Sequence, residues 1–127
     1  MINNFLIISC IGKNDKLALS INKDFFIHKL ERKKNEDRQL IQEIKQFVDN
    51  NGVKLDQNFT VIVNLGPGSF SGIRISIAVA KGLVISNNVQ LFGYNNDDLK
   101  LFDQENIQKL INQNLIEKKL IQPIYLS

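Results

Sequence analysis

Residues 64–82, NLGPGSFSGIRISIAVAKG, place Gly66, Pro67, Gly68 and Gly72 after the apolar run VIV and before a long, almost purely apolar segment. A glycine-rich turn that opens a helix can hold a phosphate, because its first N–H groups lack helical partners and the helix dipole favours negative charge. The two best-defined versions do not fit. A Walker A loop needs four residues between its first glycine and a Gly-Lys-Ser/Thr triplet, so that a lysine reaches the outer phosphates. Neither Gly66 nor Gly68 meets that spacing. A dinucleotide fingerprint needs G-x-G-x-x-G after a strand; here Ser71 holds the third glycine's place and Gly72 comes one residue late. The acidic residue expected near the end of the next strand is missing too, since QLFGYNN stands there. Two readings remain open. In one, Gly66, Pro67, Gly68, Ser69, Ser71 and Gly72 form an anion-binding helix start. In the other they form only a tight strand-to-helix turn, with Pro67 fixing φ and the glycines allowing close approach.

Other reactive residue types are sparse. His28 is the only histidine and lies in FFIHKLE, where an edge-strand or solvent-facing position is expected. A metal centre needs histidine, cysteine or carboxylate ligands in a cluster, and none stands out, so no metal ligand is assigned. Ser69 and Ser71 have no histidine base nearby in sequence, so no catalytic nucleophile is assigned either. Cys10, the only cysteine, sits in FLIISCI and reads as a small buried thiol. The net charge of +3 comes without a basic stripe interleaved with aromatics, and the densest charge run, KLERKKNEDR, mixes both signs. Nucleic-acid binding by this chain itself gains no support from that pattern. The start, MINNFLIISC, has no basic leader region and too short an apolar run for a signal peptide or a span, which points to the cytoplasm by default and away from a membrane.

Behind these residues, 127 residues allow one modest core. FLIISCI, KLALSI and the run within INKDFFIHKL, divided by turn-like GKND and INKD, predict a three-stranded antiparallel meander. Residues 35–51 carry Leu40, Ile41, Ile44, Phe47 and Val48 at the spacing of one helical face, with Asn35 as N-cap and Gly52 just past the end. TVIVN lacks alternation, as expected of a strand covered on both faces. Residues 71–86 predict a helix that is apolar nearly all round and so must be covered on more than one side. VQLFGY gives a further strand and residues 105–120 an amphipathic helix bearing Ile107, Leu110 and Ile111. The fold class expected is α/β, a mixed sheet in the order βββαβαβ plus a C-terminal helix. That order resembles the single ribonuclease H-like lobe of the actin-like ATPase and sugar kinase superfamily.

The loop carries a more specific resemblance. GPGSFSGIRISIAVAKGL is similar to the motif of the TsaB (YeaZ) family, GPGSFTGLRIG followed by a helix ending in AKGLA, with Ser71 replacing threonine and keeping the hydroxyl. The hairpin, a helix with Glu36 where many members have histidine, the strand TVIVN and the closing PIYLS fit in order, so the resemblance covers residues 5 to about 95 and the last few. There are two departures. Family members are longer and carry a second lobe, which implies residues 1–103 as a first lobe and 104–127 as helix and tail in place of the second. The family's first hairpin carries aspartate in an Ile-Asp-Thr pattern, whereas Ile8-Ser9-Cys10 stands here. Without that acid, metal-dependent nuclease chemistry of the ribonuclease H kind has no anchor.

The resemblance implies a non-catalytic subunit that binds the related transferase TsaD in making threonylcarbamoyladenosine on tRNA. The ATPase TsaE is a further member of the bacterial set, nucleotide and metal sit on partner proteins, and tRNA is reached through the complex. Members also pair with themselves. The family's contact with TsaD uses first-lobe helices, here residues 35–51 and 72–86. On the second, Ile73, Ile77, Ala80 and Val84 are the expected packing positions, with Arg74 and Lys81 as polar rim contacts. The rival expectation is a self-associating or nucleotide-binding remnant of the actin-like fold, with an anion in the glycine loop.

Overall fold

The computed structural model describes residues 2–30 and 37–118. The expected meander forms from β1 (Phe5–Ser9), β2 (Lys16–Ile21) and β3 (Asp24–Lys29), paired antiparallel with Leu6 opposite Leu19 and Leu19 opposite Phe26. The β2–β3 turn has only Asn22 and Lys23 at its centre, both at positive φ, which matches the right-handed twist of the two strands. In the β1–β2 turn the Gly12 amide donates to Asp15 Oδ1 at 2.9 Å.

The first helix, α1 (Asp37–Asn50), turns Leu40, Ile44, Phe47 and Val48 into the core, whereas Ile41, expected on the same face, stays 38% exposed; the helix ends before Gly52, whose φ is +66°. Its expected cap, Asn35, and Glu36 lie outside the described residues, as do the closing residues 119–127. β4 (Thr60–Asn64) is buried at every position, because helices cover both faces of the sheet there. Then come α2 (Phe70–Asn87), β5 (Gln90–Tyr94), a single 3-10 turn (Asn96–Asp98), α3 (Gln104–Asn112) and β6 (Ile116–Glu117).

The six strands form one sheet in the order β3-β2-β1-β4-β5-β6. β1, β4 and β5 run parallel and the other pairings are antiparallel, so the meander feeds a parallel centre as the sequence predicts. The third helix is shorter than the expected 105–120. It stops at Asn112, Asn114 takes a left-handed conformation (φ 56°), and the chain returns to pair Ile116 with Tyr94. At its start Asp103 accepts from the Asn106 amide at 2.8 Å, and this hydrogen bond holds the carboxyl below its usual range.

Alternation along the strands splits the core. Leu6, Ile8, Leu17, Leu19, Val61 and Val63 pack under α1 and α2, while Phe5, Ile7, Ala18, Ile62 and Tyr94 pack under Ile107, Leu110 and Ile111 of α3. The parallel ends Ser9, Asn64 and Tyr94 therefore meet at one edge of the layers, where the glycine loop begins.

Candidate functional site: the glycine loop and the outer face of α2

At that edge a single side chain connects four segments. Asn64, 1% exposed, donates from Nδ2 to Ser9 Oγ at 3.1 Å and to Asn96 Oδ1 at 3.0 Å, and its Oδ1 accepts from the Gly66 amide at 2.9 Å. Tyr94 lies beside Ser9 and Asn64 with its ring buried and its hydroxyl free of any partner at hydrogen-bonding geometry among the described residues. Burial pushes that phenol well above its ordinary range, and the neighbouring Ser9 and Asn64 offset the push only in part. The neutral Ser9 and Asn64 thus occupy the ends of the two central parallel strands.

The glycine loop itself is tied to the β1–β2 turn. Gly66 is at φ +96° and its peptide bond to Pro67 is cis. The Leu65 amide donates to Tyr94 O at 2.9 Å, and the Ser69 amide to Ile11 O at 2.8 Å. Gly72 N reaches Ser69 Oγ at 3.4 Å, so Ser69 caps α2. Ser71 Oγ stands 3.5 Å from Ser69 Oγ. Two glycines are close-approach positions. A Cβ at Gly68 would lie 2.7 Å from Ile11 Cβ, and one at Gly72 would run into the Cys10 carbonyl. The amides of residues 65, 66, 69 and 72 are thus all engaged inside the chain, two of them by the strand ends and one by the hairpin turn.

α2 then runs across the sheet beside α1. Ile73, Ile77 and Ala80 are buried against the sheet, at 0%, 7% and 0% exposure. This corrects the expected packing positions: those three residues are spent on the chain's own core and cannot meet a partner. Val84 is half-buried in a shallow groove of about 610 Å³ between α2 and β5. Arg74 and Lys81 are exposed as expected, and the stripe they belong to also holds Ala78 and Ile85. Phe70, 53% exposed, lies under the Arg74 guanidinium at 5.1 Å from its ring centre. The expected set and the exposed set have the same spacing, 73-77-80-84 against 74-78-81-85, one residue or about 100° apart. Periodicity finds the stripe; only the direction in which the chain leaves the glycine loop decides which copy of it faces out. Ile85 was missed for that reason.

The remaining reactive residues stay apart. His28 lies on the edge strand β3, half-exposed, with Nε2 3.7 Å from Glu43 Oε1 of α1 and its ring against Phe47. Cys10 is buried as a thiol in the larger core cluster. Among the described residues no three His, Cys, Asp or Glu side chains converge on a possible metal position. No described helix is long and apolar enough to cross a membrane.

Comparison with known proteins gives this geometry a family. A family model for TsaD, tRNA N6-adenosine threonylcarbamoyltransferase, matches residues 28–99, from β3 to just past the 3-10 turn. Two curated relatives are both tRNA threonylcarbamoyladenosine biosynthesis protein TsaB from Buchnera aphidicola. The one from subspecies Baizongia pistaciae is 35% identical over 68 residues, 54% of this chain and 30% of that protein. The one from subspecies Schizaphis graminum is 32% identical over 81 residues, 62% of this chain and 39% of that protein. The solved structure of YeaZ from Pseudomonas aeruginosa superposes with a TM-score of 0.67 at 20% identity, over 89% of this chain and 50% of that one. The chain thus matches between about a third and half of these proteins' lengths, and the superposition shows the single-lobe ribonuclease H-like, actin-like fold. With 28–99 matched by the family model and its curated relatives named TsaB, the chain belongs to the TsaD family and, within it, to the TsaB (YeaZ) group.

Proposed function

We propose that this chain is a non-catalytic subunit that binds and orders a TsaD transferase in the threonylcarbamoyladenosine modification of tRNA, in the cytoplasm. The observation that carries the reading is the outer face of α2. A helix apolar nearly all round leaves Ala78 and Ile85 in solvent, the latter 84% exposed, beside Arg74 and Lys81. Ordinary surface helices carry mixed charge there, so a face of this kind is a partner surface.

The glycine loop supports the same reading as a fixed hinge for that helix. Its amides at 65, 66, 69 and 72 are engaged within the chain, which leaves those four unable to cradle a phosphate. The loop therefore acts as a turn that sets the position of α2, and ATP and metal belong to the partners. TsaE and tRNA are engaged through the complex. Residues 1–103 make up the pairing lobe. Beyond that lobe α3 covers the second sheet face.

Size-exclusion chromatography with light scattering tests this directly, on the chain alone and mixed with the TsaD homologue of the same organism. A stable mixed complex that Ile85→Glu weakens is the expected result. A well-folded chain that never co-elutes with TsaD overturns the reading.

A further inference from the structure

The two edges of the sheet are unequally protected. β6, at one, is only two residues long. β3, at the other, runs for six, Asp24–Lys29, and among the described residues no strand pairs with its outer side. Natural edges are guarded by proline, a bulge, a central charge or shortness. The middle of β3 has none of these. Its register with β2 is unbroken, Phe25, Phe26 and Ile27 stand in a row, and Phe26 and Ile27 are 38% and 48% exposed.

The Leu30 amide donates to Asp15 O at 2.9 Å, so the alternation of an antiparallel ladder turns the backbone groups of Asp24, Phe26 and His28 toward β2 and those of Phe25, Ile27 and Lys29 outward. The outward groups are a template for a further strand, and the side chains select which. Phe26 and His28, opposite Leu19 and Leu17, lie on the α1 side of the sheet, while Phe25, Ile27 and Lys29 lie on the other. A two-fold axis normal to the sheet pairs residues of like face. With Ile27 against its own copy, it sets Phe26 against His28 and Phe25 against Lys29, each twice. Each phenyl ring then meets an aromatic ring or a cation, and no like charges are opposed. A two-residue slip one way sets Lys23 against Lys29; a slip the other way sets His28 against His28 and Ile27 against Lys29. We infer that β3 pairs antiparallel with β3 of a second copy of this chain, centred on Ile27, so that the six-stranded sheet continues across a two-fold axis. α2 packs over β1, β4 and β5, so its outward stripe stays free in such a dimer.

Sedimentation velocity on the full chain from about 2 to 200 µM is expected to show a monomer giving way to a dimer as concentration rises, since one pair of strands buries less than a standard interface. Ile27→Lys, at an exposed position, sets a charge against its own copy and is expected to weaken the dimer at least about tenfold with the circular dichroism spectrum unchanged. Ile85→Glu on α2 is expected to leave the dimer intact. Cross-linking reads the register. Cys10 is buried, and opposed Cα atoms in such a pair lie about 5.5 Å apart, within disulfide reach. With oxidised glutathione, Ile27→Cys is expected to give a covalent dimer on a non-reducing gel, and Asp24→Cys, about 20 Å from its copy, to give none. A chain that stays monomeric across that range overturns the inference and leaves the edge to a strand of a different protein. A dimer indifferent to Ile27→Lys, a dimer that Ile85→Glu dissolves, or cross-linking through Asp24→Cys equal to that through Ile27→Cys overturns it as well.

Discussion

Asn64 donates to Ser9 Oγ and Asn96 Oδ1 and accepts from the Gly66 amide, so one buried amide side chain joins the ends of β1 and β4, the 3-10 turn and the glycine loop. Asparagine can do this because it carries both donors and an acceptor on one planar group. Replacing it with leucine keeps the heavy-atom branching and removes all three bonds, leaving the Gly66 amide and Ser9 hydroxyl without partners in a buried place. Each orphaned group costs about 1–3 kcal/mol, so with two of them Asn64→Leu is expected to lose about 2–6 kcal/mol in urea denaturation. A loss below about 0.5 kcal/mol would show that water replaces the amide at no cost. Asp103 works by simpler electrostatics. Its carboxyl is held below its usual range by the hydrogen bond from the Asn106 amide, so it binds its proton less readily folded than unfolded. Its stabilisation is therefore present above the unfolded value near pH 4 and disappears as pH falls through the lower folded value. Asp103→Ala is expected to lower the melting temperature at pH 7, and its difference from the unaltered protein to vanish toward pH 2. Both roles depend on residues distant in sequence or on cap geometry. The glycine loop was legible as a strand-to-helix turn, but which groups its amides meet was not, since Ile11, Asn64 and Tyr94 arrive from other strands.

For single elements, what the sequence makes legible depends on how strong a period it carries. α1 and the meander are read correctly because apolar residues repeat at one period against polar ones. β6 carries no such signal: two residues form it, and only the exposed edge of β5 makes them a strand. The end of α3 was overrun because Leu115 and Ile116 extend the helical pattern, whereas the left-handed Asn114 breaks the backbone. α2 was located within a residue at either end, yet its phase could not be read, because a helix apolar on most sides gives little contrast between inside and outside. The phase can be checked by paired substitutions. Ala80 has no exposure and packs in the main cluster, so Ala80→Glu buries an unpaired carboxylate and is expected to unfold the chain rather than report on pairing. Ile85→Glu, on the opposite side, is expected to change stability by less than about 0.5 kcal/mol and to weaken partner binding strongly. Circular dichroism on both variants, with binding on the folded one, distinguishes the two faces. A folded Ala80→Glu protein would mean that the helix is rotated by a residue from the arrangement described.

In the whole molecule the sheet separates two tasks. Its α1/α2 face holds the larger core cluster and presents the exposed stripe of α2, Arg74, Ala78, Lys81 and Ile85, outward, while its other face is closed by α3 through Ile107, Leu110 and Ile111 over Phe5, Ile7, Ile62 and Tyr94. The family model stops at residue 99, before α3, so the matched region has an apolar sheet face that residues beyond 99 must cover. α3 is short, nine residues, and could not persist alone; its worth lies in that cover. Truncating a buried isoleucine or leucine to alanine costs about 2–5 kcal/mol, against a total of about 5–15 kcal/mol for a domain. Ile107→Ala/Leu110→Ala is therefore expected to shift the urea midpoint down severely or leave the chain unfolded at 25 °C, with dye-accessible apolar surface exposed. Ile111→Ala, at the margin of the same cluster, is expected to cost less and to leave the chain folded. Because α3 and the exposed stripe of α2 lie on opposite faces of the sheet, folded Ile111→Ala protein is expected to bind the proposed TsaD partner with unchanged affinity even though its stability has dropped. A binding loss in proportion to the stability loss would show that the two faces are coupled, and that α3 shapes the pairing surface through the sheet rather than only sealing it.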